Sequence, residues 1–489
     1  MSPAAAQGWS GPFQLTNDTF ADINPSACRE WLSGSETRLV WQSNRNSDWD
    51  IYSRLCHFYN GSGWEDEMPV CTDSGDDITP AIAARFDVMD GWVYWCVWER
   101  RESPVSGRIM AASATASDSA WSAPVEIGRC LHTSGDSARP FIMTIEQSSS
   151  DTLWAAWMEH DTDGWSVRYS RCVDYFWDSS AFVRVSSNPI RHARIGRGSA
   201  SNGSGCPLLV WEEAGDIFYS QYEGDSWTTP QEVAPSDSLD RNPEVIHYAD
   251  SPFQMGPWIT WESCRGGDTA IYGTAEDTFS IGRRWCDSTG AGNNRTPCGT
   301  PTTYPIDQWE SRIVAWASDR NGNDDIYSSV GFSDEDVYVD DDPANDVNPT
   351  LTTLGLTQNW CVWQSDRTGN WDLFGSYIYV TGVEEGSKPP AASPKPEQTV
   401  VRGVLLLEGD CPRTRTVPKA VLLDVSGRTA LDLHSGPNDV SGLAPGVYFA
   451  IAPSPFSSPP EGERDGVRRC QASDVERGAL SVTKVIVQR

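Results

Sequence analysis

The chain has 489 residues, which predicts two to four domains, or one large repeat domain with a small one. Its 37 Lys and Arg against 68 Asp and Glu give a net charge of −31, which argues against nucleic acid and anionic membranes as partners. Aromatic residues at 11%, among them 23 Trp, are too frequent for a disordered acidic chain and favour an all-β protein of many short strands.

The N-terminal residues MSPAAAQ contain neither a basic segment nor an apolar segment, so they do not form an intact signal peptide. Residues 1–7 are predicted to be a flexible N-terminus. No part of the chain approaches the run of roughly 18 apolar residues that a transmembrane helix needs.

After this start, the sequence repeats itself seven times. The first copy reads RLVWQSNRNSDWDIY and the last reads WCVWQSDRTGNWDLF. The successive central tryptophans are 47 to 59 residues apart: Trp41, Trp98, Trp157, Trp211, Trp261, Trp316 and Trp363. A turn that ends in proline precedes each of them, at Pro25, Pro80, Pro140, Pro189, Pro243, Pro297 and Pro349.

Each repeat predicts four short strands. Strand a opens at the proline, strand b contains the central tryptophan, strand c is a DIYS-like segment, and strand d is a WSxP-like segment. Four antiparallel strands at this period are typical of a β-propeller blade. The chain begins with a d-type strand and its last repeat ends with a c-type strand. We therefore predict a seven-bladed ring over residues 8–380, closed by the N-terminal strand, with six blades as the alternative.

Two segments, SDRNGNDDIY (318–327) and SDRTGNWDLF (365–374), resemble the repeats of TolB-like (WD40-like) propellers. Blades of that family carry an N-P opening, a Trp or Phe strand and an S-D-R-x-G-x-x-D-I-Y hairpin. The resemblance extends over about 370 residues. It implies a fold and no particular activity, because propellers host many unrelated functions.

The composition changes after the propeller. Residues 381–398 are predicted to be a Pro/Ser-rich linker, and residues 399–489 a small Ig-like β-sandwich. The latter region resembles the C-terminal sorting domain of type IX secretion cargo. The matching positions are Gly427, Arg428, Leu443, Pro445, Gly446, Tyr448 and Lys484. This resemblance implies a secreted or cell-surface protein that has the secretion machinery as a partner.

The loops that share one face of the propeller predict a polar rim around the channel mouth. Its candidate binding residues are Asp22, Asp77, Asp136, Asp240, Asp346, Arg45, Arg320 and Arg367. Such a rim would bind a cation, a sugar or a cationic peptide. The alternative is structural, with the aspartates capping turns and the arginines pairing with them between blades.

Catalytic signatures are largely absent from the sequence, which contains neither a G-x-S-x-G nor an HExxH motif. The glutamates that follow the strand-b tryptophans recur with the repeat and are predicted to be structural. Calcium is the one cofactor considered, although the SDRNGND loop (318–324) lacks the spaced ligands of a calcium loop.

The leading hypothesis is a secreted or cell-surface propeller that binds a protein or glycan, or acts as a scaffold, without catalysis. The alternative is a secreted glycoside hydrolase or lyase that uses carboxylates on one propeller face. A structural spacer of the cell envelope is the third interpretation.

Overall fold

The computed structural model describes most of the N-terminal region and the strands of the C-terminal region. The described residues are 8–29, 36–57, 63–87, 91–133, 136–145, 152–199, 205–246, 257–275, 279–285, 292–301, 312–330, 336–354, 358–379, 399–401, 404–407, 420–424, 429–433, 436–439, 446–453 and 480–487. The chain divides into two compact units, residues 1–384 and residues 385–489.

The first unit contains thirty described strands and no described helix. In chain order they are β1 (Ser10–Gln14), β2 (Asp22–Arg29), β3 (Glu36–Ser43), β4 (Asp50–His57), β5 (Met68–Cys71), β6 (Asp77–Asp87), β7 (Gly91–Ser103), β8 (Ser106–Thr115), β9 (Val125–Leu131), β10 (Phe141–Ile145), β11 (Thr152–Asp161), β12 (Gly164–Val173), β13 (Phe176–Trp177), β14 (Ala181–Ser186), β15 (Ile190–Ser199), β16 (Gly205–Glu213), β17 (Asp216–Glu223), β18 (Ser226–Trp227), β19 (Gln231–Glu232), β20 (Asp240–Ile246), β21 (Trp258–Ser263), β22 (Ala270–Ala275), β23 (Arg283–Arg284), β24 (Asn294–Pro301), β25 (Arg312–Ser318), β26 (Asp325–Val330), β27 (Val337–Asp340), β28 (Asp346–Leu354), β29 (Gln358–Ser365) and β30 (Asp372–Tyr379).

These strands form seven antiparallel sheets, which are the seven blades of a β-propeller. Six blades follow the chain as consecutive strands, from β2-β3-β4-β5 to β24-β25-β26-β27. The seventh has the order β1-β30-β29-β28, so the N-terminal strand completes the last blade. The predicted all-β, seven-bladed fold is confirmed, and the six-bladed alternative is wrong.

The ring closes through backbone bonds and through the core. In the seventh blade Phe13 lies opposite Gly375, and Leu15 donates its N–H to the carbonyl oxygen of Leu373 at 2.7 Å. Leu15 and Leu373 also pack in one cluster with Trp41 of the first blade. The first and last repeats are therefore joined as neighbouring blades are joined elsewhere, which removes the exposed sheet edges of an open ring.

The propeller core lies between the blades. The seven strand-b tryptophans are fully buried at 0% exposure: Trp41, Trp98, Trp157, Trp211, Trp261, Trp316 and Trp363. Each packs against the preceding blade, as Trp98 does against Val40 and Ile51. Burying an aromatic side chain of this size contributes on the order of 2–3 kcal/mol, so the repeat of Trp is mainly a repeat of packing.

Strand a differs in detail from the prediction. The proline was expected at the first residue of the strand, but β2 begins three residues earlier, at Asp22. The pairing of β2 with β3 shifts register between Ile23 and Ser26, so Asn24 and Pro25 form a bulge. A bulge tolerates proline because the residue that lacks an N–H lies where the ladder is already interrupted.

The second unit is described through its strands alone. These are β31 (Thr399–Val401), β32 (Val404–Leu407), β33 (Ala420–Asp424), β34 (Thr429–Leu433), β35 (Gly436–Asp439), β36 (Gly446–Pro453) and β37 (Leu480–Val487). They form a five-stranded sheet, β31-β37-β36-β33-β34, and a two-stranded sheet, β32-β35.

The predicted sorting motif is only partly placed by these strands. Gly446 and Tyr448 lie in β36 and Lys484 lies in β37, where Tyr448 pairs with Val485. The other motif residues lie outside the described residues: Gly427, Arg428, Leu443 and Pro445. The Ig-like sandwich therefore stays a prediction.

A search of the described residues for a helix long and apolar enough to cross a membrane finds none.

Candidate functional site

A cavity of about 440 Å³ lies where the innermost strands of all seven blades converge. This volume falls in the range typical of small-molecule sites, about 300–1,000 Å³. One residue of each blade lines it with the backbone in the left-handed region, at φ between 42° and 56°: Asn24, Thr79, Arg139, His192, Asn242, Thr296 and Asn348. We call this set the channel ring.

Four residues of the channel ring donate their backbone N–H to the side chain that follows the strand-b tryptophan in the preceding blade: Asn24, Thr79, Asn242 and Thr296. Thr79 donates its backbone N–H to Oε1 of Gln42 at 2.8 Å, and Thr296 donates to Oε1 of Glu262 at the same distance. At the bulge these amides have no partner in the β-sheet, and a side-chain oxygen of the neighbouring blade accepts their hydrogen bonds. The contact supports the structural role predicted for a strand-b glutamate such as Glu262, which joins one blade to the next.

The predicted rim aspartates and arginines lie inside the blades. Asp22 is fully buried and accepts hydrogen bonds from Trp41 Nε1 and Arg45 Nη2, each at 3.1 Å. Burial raises the pKa of Asp22 to about 6. The same pairing recurs within other blades at 2.6–2.9 Å, in Asp77–Arg100, Asp240–Arg265 and Asp346–Arg367. The structure thus brings these residues together in pairs within a blade, and burial keeps the carboxylates away from solvent.

Two predicted rim residues depart from that arrangement. In the sixth blade, Arg320 donates to Oδ1 of Asn294 at 2.9 Å and pairs with Asp336 at 2.8 Å. Asp136, before the third blade, is half-buried and lines a second, smaller pocket. None of the eight predicted residues is among the described residues that line the channel cavity. A binding role for them stays a prediction, and their contacts in the structure are those of blade architecture.

The channel ring loses its repeat character at the third and fourth blades. Five blades present Asn or Thr there, whereas these two present Arg139 and His192. Arg139 Nη1 lies 3.2 Å from Nδ1 of His192. Burial, together with the charges of Arg139, Arg194 and other arginines, holds the pKa of His192 well below its usual value. The imidazole is therefore neutral and accepts the hydrogen bond from Arg139.

A smaller pocket of about 90 Å³ adjoins this part of the ring. Arg139 and His192 line both cavities. The smaller cavity is also lined by Arg191, His160 and Trp165 and by two carboxylates, Asp136 and Glu159. The rings of His160 and Trp165 stack with their centroids 4.2 Å apart and their planes 12° from parallel. Guanidinium groups and a flat aromatic pair thus face one space, an arrangement that blade packing does not require.

One cluster among the described residues has the donor types of a metal site. Ligand atoms of Glu99, Cys130 and His132 lie within 4.8 Å of one another, and all three residues are buried. Glu99 already accepts hydrogen bonds from His132 at 3.0 Å and from Ser137 and the Ala138 amide at 2.7 Å.

The charges in this cluster match an ion pair. The hydrogen bond to Glu99 raises the pKa of His132, whereas burial raises the pKa of the Cys130 thiol. For Glu99, burial acts to raise the pKa, but the hydrogen bonds from His132 and its neighbours outweigh it and leave the pKa lowered. The cluster is thus a His–Glu pair beside a protonated thiol, which is a poor metal ligand.

Comparison with known proteins identifies no family for this chain. No protein-family model matches the chain, and no curated protein matches it. Among solved structures, a protein of unknown function from Dyadobacter fermentans has 11% identity over 76% of this chain and 100% of that chain, with a TM-score of 0.46. A mutant α-L-arabinofuranosidase from Fusarium graminearum, in complex with an iminosugar inhibitor, has 9% identity over 76% and 98%, with a TM-score of 0.44.

A third solved structure, puromycin hydrolase, has 11% identity over 93% of this chain and 62% of that chain, with a TM-score of 0.48. At identities and TM-scores this low, the activities of these proteins are not transferred to this chain.

Proposed function

We propose that the chain is a secreted or cell-surface binding propeller that holds its ligand at the channel ring and performs no catalysis on it. The observation that carries this proposal is the cavity of about 440 Å³, whose ring keeps the repeat in five blades and breaks it in two. Residues that recur in every repeat are explained by the packing and hydrogen bonding of the blades. Residues that break the repeat, Arg139 and His192, are free of that constraint and therefore mark the side of the ring available for recognition.

The alternative, a glycoside hydrolase, needs two carboxylates about 5–9.5 Å apart around a sugar. Among the described residues that line the channel cavity, Glu244 is the single carboxylate. Its oxygen lies 3.2 Å from Nε of Arg194, with which it forms an ion pair. This supports binding over hydrolysis in the channel cavity itself, whereas the adjoining small pocket has two carboxylates, Asp136 and Glu159.

Delivery belongs to the same proposal. The sorting-domain resemblance of residues 399–489 supports an export role for that region, with the secretion machinery as its partner. A type IX-competent host that expresses the full chain and a chain ending at Glu384 tests this. We expect the full chain at the cell surface or in the medium and the shortened chain inside the cell; equal distribution would refute the assignment.

The binding proposal is tested with the full chain on glycan and protein arrays, beside Ser26→Trp. Ser26 lines the cavity, so a tryptophan there would fill the channel. Ser117→Trp, at an exposed position elsewhere, is the matched control. We expect binding that Ser26→Trp abolishes and Ser117→Trp retains. Turnover of a bound polysaccharide would favour the hydrolase, and no binding on either array would refute the proposal.

A further inference from the structure

Two arginines at the pattern-breaking part of the channel ring have no carboxylate within ion-pair distance among the described residues, although Glu212 lies opposite Arg191 in the pairing of β15 with β16. Arg139 and Arg191 are both exposed, and neither forms an ion pair within 4.0 Å in the part of the chain that the structure describes. By contrast, Arg45 and Arg367 are each tied to carboxylates. In a chain with a net charge of −31, arginines left unpaired beside a pocket indicate a use other than charge balance.

The acidic groups nearest to these arginines have other partners in the described structure. Glu159, which lines the same small pocket, pairs with Arg168. Asp136 accepts a hydrogen bond from the hydroxyl of Thr133. Glu212 is buried, at 8% exposure, and the backbone amide of Asn242 donates to it. Glu244 forms its ion pair with Arg194. Asp136 and Glu212 act on Arg139 through their charge, but neither forms an ion pair with it among the described residues, so a ligand carboxylate can contact the guanidinium directly.

Arg139 is also held in position. Its guanidinium donates to His192 Nδ1 at 3.2 Å, and its backbone N–H donates to Oγ of Ser137 at 3.3 Å. A guanidinium has five N–H donors in a rigid fork, so most of them remain available for a planar acceptor. A carboxylate fits two of them side by side, which gives orientation as well as affinity.

An aromatic surface completes the pocket. The stacked rings of His160 and Trp165 line the same small cavity as Arg139 and Arg191, and both rings are half-buried. The flat apolar face of such a ring packs against the C–H face of a sugar, while neighbouring polar groups read its substituents.

Resting on the proposed binding function, the geometry points to an acidic glycan as the ligand. A uronate carboxylate binds the guanidinium groups of Arg139 and Arg191, and the sugar ring lies against Trp165. The ring of a pyranose matches the single aromatic platform beside the charge. A polyglutamate chain has no flat apolar face that would cover that platform.

The test is isothermal titration of the full chain with oligogalacturonate, with its carboxyl-reduced neutral counterpart, and with polyglutamate. We expect binding to oligogalacturonate, with at least tenfold weaker or undetectable binding to the neutral sugar. Arg139→Gln and Arg191→Gln should each weaken binding about 10- to 100-fold, the loss typical of a charged hydrogen bond. Arg129→Gln, which removes a guanidinium exposed at 73% in β9, is the matched control and should leave affinity unchanged.

Trp165→Ala distinguishes an acidic glycan from an acidic peptide as the ligand. It should weaken oligogalacturonate binding about tenfold, provided that the variant keeps the wild-type unfolding midpoint. Equal affinity for the charged and neutral sugars would overturn the inference, as would polyglutamate binding that needs Arg139 and not Trp165. An array ligand that Ser26→Trp abolishes and Arg139→Gln retains would leave the binding function standing and overturn only the acidic-glycan assignment.

Discussion

Asp50 is a buried carboxylate without a cation paired to it in the described structure. It is the first residue of β4 and is 0% exposed. Asn46 Nδ2 donates to its Oδ2 at 2.7 Å, while its Oδ1 has no hydrogen-bond partner. Burial is the main reason that the pKa of Asp50 rises from 3.8 to about 6, and the charges of Asp48 and Asp77 add to it. Replacing Asp50 with Asn keeps the shape and the acceptor and removes the charge.

The sign of the effect follows from this shift. The folded protein binds the proton more tightly than the unfolded chain, so the free energy of unfolding falls as pH rises through the window from about 4 to about 6. A shift of about 2 units corresponds to about 3 kcal/mol at pH 7.5. Asp50→Asn should therefore stabilise the propeller by up to about 3 kcal/mol at pH 7.5, and by less than about 1 kcal/mol at pH 4.

Urea unfolding followed by tryptophan fluorescence measures this difference for the propeller alone, because all 23 Trp lie at or before Trp371. Wild type and Asp50→Asn are compared at pH 7.5, 6, 5 and 4. Asp163→Asn, at an exposed turn position, controls for the loss of one negative charge. Parallel pH profiles for wild type and Asp50→Asn, or an Asp163→Asn profile that matches Asp50→Asn, would refute the reasoning.

Three further predictions concern the packing and closure of the ring. A Cβ at Gly128 would overlap the ring of Trp157, so Gly128→Ala should lower the free energy of unfolding by about 1–3 kcal/mol in the same urea assay; an unchanged free energy of unfolding would contradict the close contact of Gly128 with Trp157. Gln42→Ala leaves the half-buried amide of Thr79 without its acceptor and should lower the free energy of unfolding by about 0.5–1.5 kcal/mol, whereas Gln42→Glu, which keeps an acceptor, should lower it less; equal losses would contradict the hydrogen bond between blades. Deleting residues 8–16 removes β1 and exposes the edge of the last blade, so size-exclusion chromatography should show association, and a monomer with an unchanged melting temperature would contradict ring closure.

Much of the fold could be predicted from the sequence. The tryptophan period sets the number of blades because each blade buries one such side chain against its neighbour. The order of strand types at the two ends of the repeat region predicts closure, since a d-type strand at the start lacks the rest of its blade. Both features are local in sequence and repeated, so they are readable without coordinates.

Register was harder to predict. The sequence suggested Pro189 as the fourth repeat's proline, but Ile190 lies opposite Glu213 and Arg191 opposite Glu212. That pairing puts His192 in the channel ring and Ala193 where other blades have proline. Pro189 lies four residues before the position at which the other blades have their proline. The repeat pattern therefore does not show that His192 stands where other blades have Asn.

The sequence by itself determined a closed ring of seven similar blades. Only the tertiary structure decided which polar residues are inside a blade and which face a cavity. Asp22 begins β2 and Arg139 lies just before β10, yet the first is fully buried and the second exposed. The reason is that a repeat specifies each blade separately, whereas the site is formed between blades, where Arg139 meets His192 across 53 residues of chain.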